Sequence, residues 1–213
     1  MIKALIFDFW GTLVENGVYP SPVKQAQFIL GIETDFSEYI QKFEETLMLN
    51  KFENLNEGFT KVCETFGIEA TEEKIERLVG MWNKNKFFAK PKPDTISTLE
   101  TLKRSYKLVL VSNTDCFSVK DVLEKYDLAK YFDEIFFSYE VGKLKTDPHF
   151  FDDVLEKIGL SKDEVVMFGD SLESDIKPAE AAGIKAYLVD RRGRRDFLNK
   201  VRFLDEIPGL LGE

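Results

Sequence analysis

The chain has 213 residues, enough for one large domain or one domain carrying an insertion. Its 44% hydrophobic and 31% charged content, with nineteen phenylalanines, is that of an ordinary globular protein with ample core material. A formal net charge of −9 excludes the basic footprint that non-specific nucleic-acid binding needs, and any anion site must be a local pocket of positive groups.

The first element is an apolar run, Ile2 to Phe7, that reads as a buried strand ending on Asp8. Gly11 and Thr12 break it. A carboxylate at the end of a buried strand is costly unless a positive group sits opposite. In an open α/β sheet that strand end is also where ligands bind. The run is too short for a signal peptide, and no segment is long and apolar enough to span a membrane, so a cytoplasmic protein is expected. Cys63 and Cys116 have no ligand-like spacing and fit free thiols in a reducing compartment.

Glu15 to Pro22 reads as a loop, and only helical patterns follow until about Phe88. Val23–Leu30 has helical spacing. Asp35 with Glu38 resembles a capping box ahead of Phe36, Tyr39, Ile40, Phe43 and Leu47. Phe59, Val62, Cys63 and Phe66 lead to Gly67 as a C′ residue. Thr71 caps a helix bearing Ile75, Leu78, Val79 and Trp82. This all-helical block, residues 16–88, is expected to be an insertion that acts as a lid or cap. Trp82, Phe87 and Phe88 at its end read as core or hinge packing.

Ala89–Pro93 is a proline-broken linker, and Asp94 is expected to cap a helix to about Arg104. Strands and helices then alternate. Strands are expected at Lys107–Val111, Glu134–Phe137, Val165–Phe168 and Ile184–Val189, with helices at Phe117–Tyr126, Pro148–Ile158 and Leu172–Ala182. This alternation implies a doubly wound parallel α/β sheet, residues 1–15 plus 89–213, which the first strand must join to be covered on both faces.

The strand ends, or the loops just after them, carry polar signatures: Asp8; Ser112 and Asn113; Gly142 to Lys145; and Gly169, Asp170, Ser171 and Asp175. In a parallel sheet these converge on one edge. Crowded carboxylates need a cation, and oxygen ligands at that density suit Mg²⁺. Lys145 could neutralise both Asp8 and a bound anion, and Ser112 with the following amides could hold phosphate oxygens. Lys143 reads as a solvated loop lysine, His149 as a surface or capping histidine, Cys116 as a small buried residue, and the run Arg191-Arg192-Gly193-Arg194-Arg195 as a solvated turn.

Asp8-Phe9-Trp10-Gly11-Thr12-Leu13, Ser112-Asn113, Lys145 and Gly169-Asp170-Ser171-Leu172-Glu173-Ser174-Asp175 resemble, in order, the four motifs of the haloacid dehalogenase (HAD) superfamily of hydrolases. The resemblance covers the whole chain, helical cap included, and implies a Rossmann-like core. It implies Asp8 as nucleophile, with Mg²⁺ held by Asp8, the backbone carbonyl of Trp10 and Asp170, and Asp175 in support directly or through water. Ser112 and Lys145 would bind the transferring group, beside Asn113 and Trp10 in the substrate site. The expected activity is phosphatase action on a small phosphorylated metabolite.

Two other activities stay open. Most phosphatases of the superfamily carry a second aspartate two residues after the nucleophile as general acid and base, and here that residue is Trp10, whose indole cannot relay protons. The 2-haloacid dehalogenases carry an aromatic there and act without metal. They lack a Gly-Asp fourth motif, however, and use an arginine near the start of the cap, whereas the first arginine here is Arg77. They also place a tyrosine where this chain has Phe151. The third activity class is a catalytically weak member that binds a phosphorylated ligand or a protein.

Overall fold

The computed structural model describes residues 1–212. A six-stranded, wholly parallel sheet runs through the middle, built from β1 (Ala4–Asp8), β4 (Lys107–Ser112), β5 (Glu134–Phe137), β6 (Val165–Gly169), β7 (Lys185–Val189) and β8 (Lys200–Val201) in the order β5-β4-β1-β6-β7-β8. β1 is central because its residues are apolar on both faces. Leu5 and Phe7 enter one core layer, and Ala4 and Ile6 enter the other. The chain winds away from β1 in both directions, so β1 and β4 lie side by side with Asp8 opposite Val111. β1 and β6 pair as far as Phe7 opposite Phe168. This register brings Asp8, Ser112 and Gly169 to one sheet edge.

Between β1 and β4 lies the helical insertion. Two short strands, β2 (Val14–Glu15) and β3 (Lys90–Pro91), pair antiparallel at its base. Their side chains gave no alternating pattern in the sequence, since each is two residues long. The insertion holds α1 (Pro22–Leu30), α2 (Phe36–Leu47), α3 (Leu55–Thr65) and α4 (Glu72–Phe88). Ser21, Asp35, Asn54 and Thr71 cap them. Asp35 accepts from the Ser37 amide rather than closing the expected reciprocal box with Glu38. Tyr39, Phe43, Phe59 and Trp82 form an aromatic cluster inside the insertion.

After β3, α5 (Thr95–Leu102) and α6 (Val119–Lys125) cover one sheet face together with the short helices α7 (Ser138–Val141) and α10 (Ile207–Leu211). α8 (Phe150–Ile158) and α9 (Lys177–Ala181) cover the other. The helix expected over Leu172–Ala182 is divided. Leu172–Ile176 forms a wide π-type turn before α9, and this turn buries Asp175 beneath the sheet edge.

Several surface expectations change. Asp94 precedes α5 but makes no cap bond. Its carboxylate instead takes the Arg191 guanidinium at 2.6 Å and the Leu204 amide at 2.7 Å. The arginine run is therefore only partly a solvated turn: Arg191 is a half-buried strut, and Arg195 donates to the Asp170 carbonyl. Lys143 is paired with Asp153 at 2.5 Å rather than simply solvated. Phe87 and Phe88 are exposed, at 69% and 56%, rather than packed in a core or hinge. Cys116 is half-buried, its Sγ 3.8 Å from the Phe52 carbonyl of the insertion. No helix among the described residues is long and apolar enough to cross a membrane.

Candidate active site

The site forms where β1, β4 and β6 end. Asp8 is 5% exposed, and Thr12, carried back by the turn after β1, donates its hydroxyl to Asp8 Oδ2 at 2.9 Å. Lys145, on the loop after α7, donates to Asp8 Oδ1 at 2.7 Å and to Asp175 Oδ1 at 2.5 Å. The other Asp175 oxygen accepts from the Ser171 amide at 2.9 Å. Burial works against the Lys145 charge, but Asp175 and Asp8 more than offset it and hold the ammonium well above the usual lysine range. Asp8 is pushed up to about 6, by burial first and by Asp175 second, against the pull of Lys145 and Thr12.

Asp170 lies outside the Lys145 bridge. Its carboxyl rises to about 8 because it is desolvated and faces Asp8 and Asp175, with Arg195 and Lys145 compensating only in part. Oxygens of Asp8, Asp170 and Asp175 all lie within 4.8 Å of one another. Gly11, at φ +85°, leaves open the space beside Asp170, where a Cβ would sit 2.3 Å from Asp170 Oδ2. Three hard carboxylates, an Asp170 charge that is only partly compensated and this open cradle fit a small divalent cation such as Mg²⁺.

Ser112 is buried at the end of β4, its hydroxyl 3.5 Å from the Asn113 carbonyl. Asn113 links two parts of the molecule. Its Oδ1 accepts from the Lys145 amide at 2.9 Å, and its Nδ2 donates to Glu44 Oε2 on α2 at 2.9 Å. Trp10 lines a cavity of about 120 Å³ between insertion and core, together with Glu44, Asn113, Trp82 and Asp115. Burial lifts the Glu44 carboxyl to about 7, against the Asn113 hydrogen bond and the Lys145 charge. A larger cleft of about 620 Å³ is lined by Gly11, Asp170, Lys92, Arg191 and Arg192.

The structure thus brings together Asp8, Trp10, Ser112, Asn113, Lys145, Asp170 and Asp175, all expected from the sequence. His149 stands apart, its side chain 74% exposed next to Asp152. Two site residues were missed. In the sequence Thr12 marks only the end of the strand, although its spacing of four from Asp8 suits a turn that folds back. Glu44 follows the buried Phe43 on α2, and nothing in its local sequence points across to another domain's strand end.

The profile of the haloacid dehalogenase-like hydrolases matches residues 2–183. The glyceraldehyde 3-phosphate phosphatase of Methanopyrus kandleri is 28% identical over 215 residues, covering 98% of this chain and 91% of that protein. The phosphorylated carbohydrates phosphatase of Thermotoga maritima is 32% identical over 187 residues, covering 86% of this chain and 83% of that protein. Among solved structures, the magnesium-bound HAD-hydrolase YfnB of Bacillus subtilis superposes with a TM-score of 0.70 over 100% of this chain and 99% of that one, at 20% identity, a likeness of fold alone. With its parallel sheet, its helical insertion after the first strand and its cluster of acids at the sheet edge, the chain belongs to the haloacid dehalogenase-like hydrolases.

Proposed function

We propose that the protein is a Mg²⁺-dependent phosphatase acting on a small phosphorylated metabolite through an aspartyl-phosphate at Asp8. The observation that carries this reading is the convergence of the Asp8, Asp170 and Asp175 carboxylates within 4.8 Å, with Lys145 bridging only two of them. The metal would be held by Asp8, the Trp10 carbonyl and Asp170, with Asp175 in support. When bound it supplies positive charge to the transferring phosphoryl oxygens. Lys145 neutralises Asp8 enough for a phosphate to approach and then shares the developing charge. Ser112 and the Asn113 region hold the phosphoryl oxygens, and Thr12 fixes the orientation of the Asp8 carboxylate.

Residues 16–88 act as the cap over a core of residues 1–15 and 89–213, closing the small cavity at Trp10 around the leaving group. The names of the Methanopyrus and Thermotoga relatives support a phosphorylated carbohydrate as the substrate class. Release of p-nitrophenol from p-nitrophenyl phosphate should require Mg²⁺, stop with EDTA, and be lost in Asp8→Asn. Phosphatase activity left intact by EDTA would sink the proposal.

One observation favours a second activity, metal-independent dehalogenation of 2-haloacids: the aromatic Trp10 on the cavity wall. Halide release in EDTA would establish it. The concentration of acids at Asp170 gives that chemistry no use, which is why the phosphatase reading is preferred.

A further inference from the structure

The phosphatase reading leaves a chemical gap. Transfer of a phosphoryl group from an alkyl ester to Asp8 releases an alkoxide unless a proton reaches the leaving oxygen. Attack of water on the aspartyl-phosphate then requires a base. The groups around Asp8 offer few candidates. Trp10 has only an indole N–H. Lys145 is held charged between two carboxylates and cannot cycle. Asp115 is engaged in holding the cap and its own loop, accepting from Trp82 Nε1, the Phe117 amide and the Ser118 hydroxyl. His149 lies outside on the surface.

Resting on that reading, the geometry points to Glu44 of α2, in the cap, as the general acid and base of the reaction, in place of the residue at position 10. Glu44 and Trp10 share the wall of the same 120 Å³ cavity between cap and core. Glu44 Oε2 is fixed by Asn113 Nδ2, and Asn113 in turn holds the Lys145 amide, so the acid is tied to the loop that carries the lysine. No bond to Glu44 Oε1 is found among the described residues, which leaves that oxygen available to a ligand. The charged groups facing it are Lys145, Asp175 and Asp8 from the core, with Asp115 on the same cavity wall, while α4 contributes the neutral Trp82 and Asn85. Lifted to about 7 by burial, the carboxyl populates both of its forms near neutral pH.

In the first step an Asp8 oxygen bonds to phosphorus, the ester P–O bond breaks, and the leaving oxygen takes the proton of the Glu44 acid. In the second, water bonds to phosphorus and gives a proton to the Glu44 carboxylate. The bond between phosphorus and the Asp8 oxygen then breaks, releasing inorganic phosphate and the Asp8 carboxylate. Glu44 ends protonated, as it began.

The test is Glu44→Gln, which keeps an acceptor for Asn113 and the packing but cannot carry the proton. It is assayed with glycerol 2-phosphate, an alkyl ester, and with p-nitrophenyl phosphate, whose leaving group needs no proton. The kcat on the alkyl ester should fall about 10²–10⁴-fold. The first-turnover burst of p-nitrophenol should persist while its steady-state rate drops, and the inflection that Glu44 gives to log kcat against pH should vanish. Adding Trp10→Asp to the variant should restore part of the lost rate. A variant within about twofold of the wild type on the alkyl ester, with the same pH profile, overturns the inference and leaves the phosphatase reading standing. Loss of the burst as well overturns it too, since Glu44 would then serve structure or binding. If the wild type hydrolyses neither ester with Mg²⁺, the phosphatase reading falls and this inference falls with it.

Discussion

The Lys145 ammonium stands 2.7 Å from Asp8 Oδ1, in a setting where the two side chains are 3% and 7% exposed. They are 137 residues apart in the chain. Such a buried pair is held by what surrounds it rather than by its own attraction, because desolvation of both ions cancels much of the Coulomb gain. Its second partner is Asp175, so Lys145 is bonded to two buried carboxylates at once.

Removing that cation should therefore be costly. Lys145→Met is expected to lose about 3–5 kcal/mol of stability at pH 7.5 without metal, since two buried carboxylates are left uncompensated. Urea unfolding measures this. Much of the loss should return at pH 5, where Asp8 can be protonated, or with added Mg²⁺. A variant as stable as the wild type at pH 7.5 would show that water already reaches the pair.

Gly11 sets the space beside Asp170. In Gly11→Ala the new Cβ would collide with the Asp170 carboxylate at 2.3 Å, on a backbone whose φ of +85° already disfavours a side chain. The variant should fold with a small loss of stability but lose most of the Mg²⁺-induced rise in melting temperature, along with at least tenfold in kcat/KM. An unchanged thermal shift with Mg²⁺ would place the metal elsewhere.

The pH dependence of the metal-free protein follows from three raised acids: Asp8 at about 6, Asp170 at about 8 and Glu44 at about 7. Each binds its proton more tightly folded than unfolded. Between about pH 4 and 8 the native state thus holds more protons, and stability falls as pH rises, by up to about 1.4 kcal/mol per pH unit for each group within its window. Denaturant midpoints in EDTA should decline from pH 5 to pH 8. Mg²⁺ should flatten the slope through Asp8 and Asp170, and Glu44→Gln should remove only the share of Glu44. A midpoint that rises over this range would contradict the raised acids.

Trp82 fastens cap to core through its indole, which donates to Asp115 Oδ2 at 2.9 Å within a buried contact. Trp82→Phe should cost about 1–3 kcal/mol in thermal or urea unfolding, from the lost bond and the smaller ring. No measurable loss would mean that the cap is not clamped by this contact.

The sequence alone determined much of this protein. The apolar run into Asp8, the alternation after Ala89 and the helical spacing before it required a parallel sheet with a helical insertion, because these periods allow little else. The acids and the lysine could be named because a parallel sheet collects its strand ends on one edge, whatever the details of packing. Tertiary structure decided the rest. β8 and the β2–β3 pair are too short to leave a period, and they exist because partners are already in place. Asp94 gave up its cap to Arg191, since a charged guanidinium competes better for a carboxylate than the neutral amides of a helix end do. Glu44 meets Asn113 because the packing of the insertion on the core brings α2 to the loop after β4, and no local pattern records a contact between residues 69 positions apart. Burial, which shifts the acids of this site, is a property of the whole fold and is written in none of its segments.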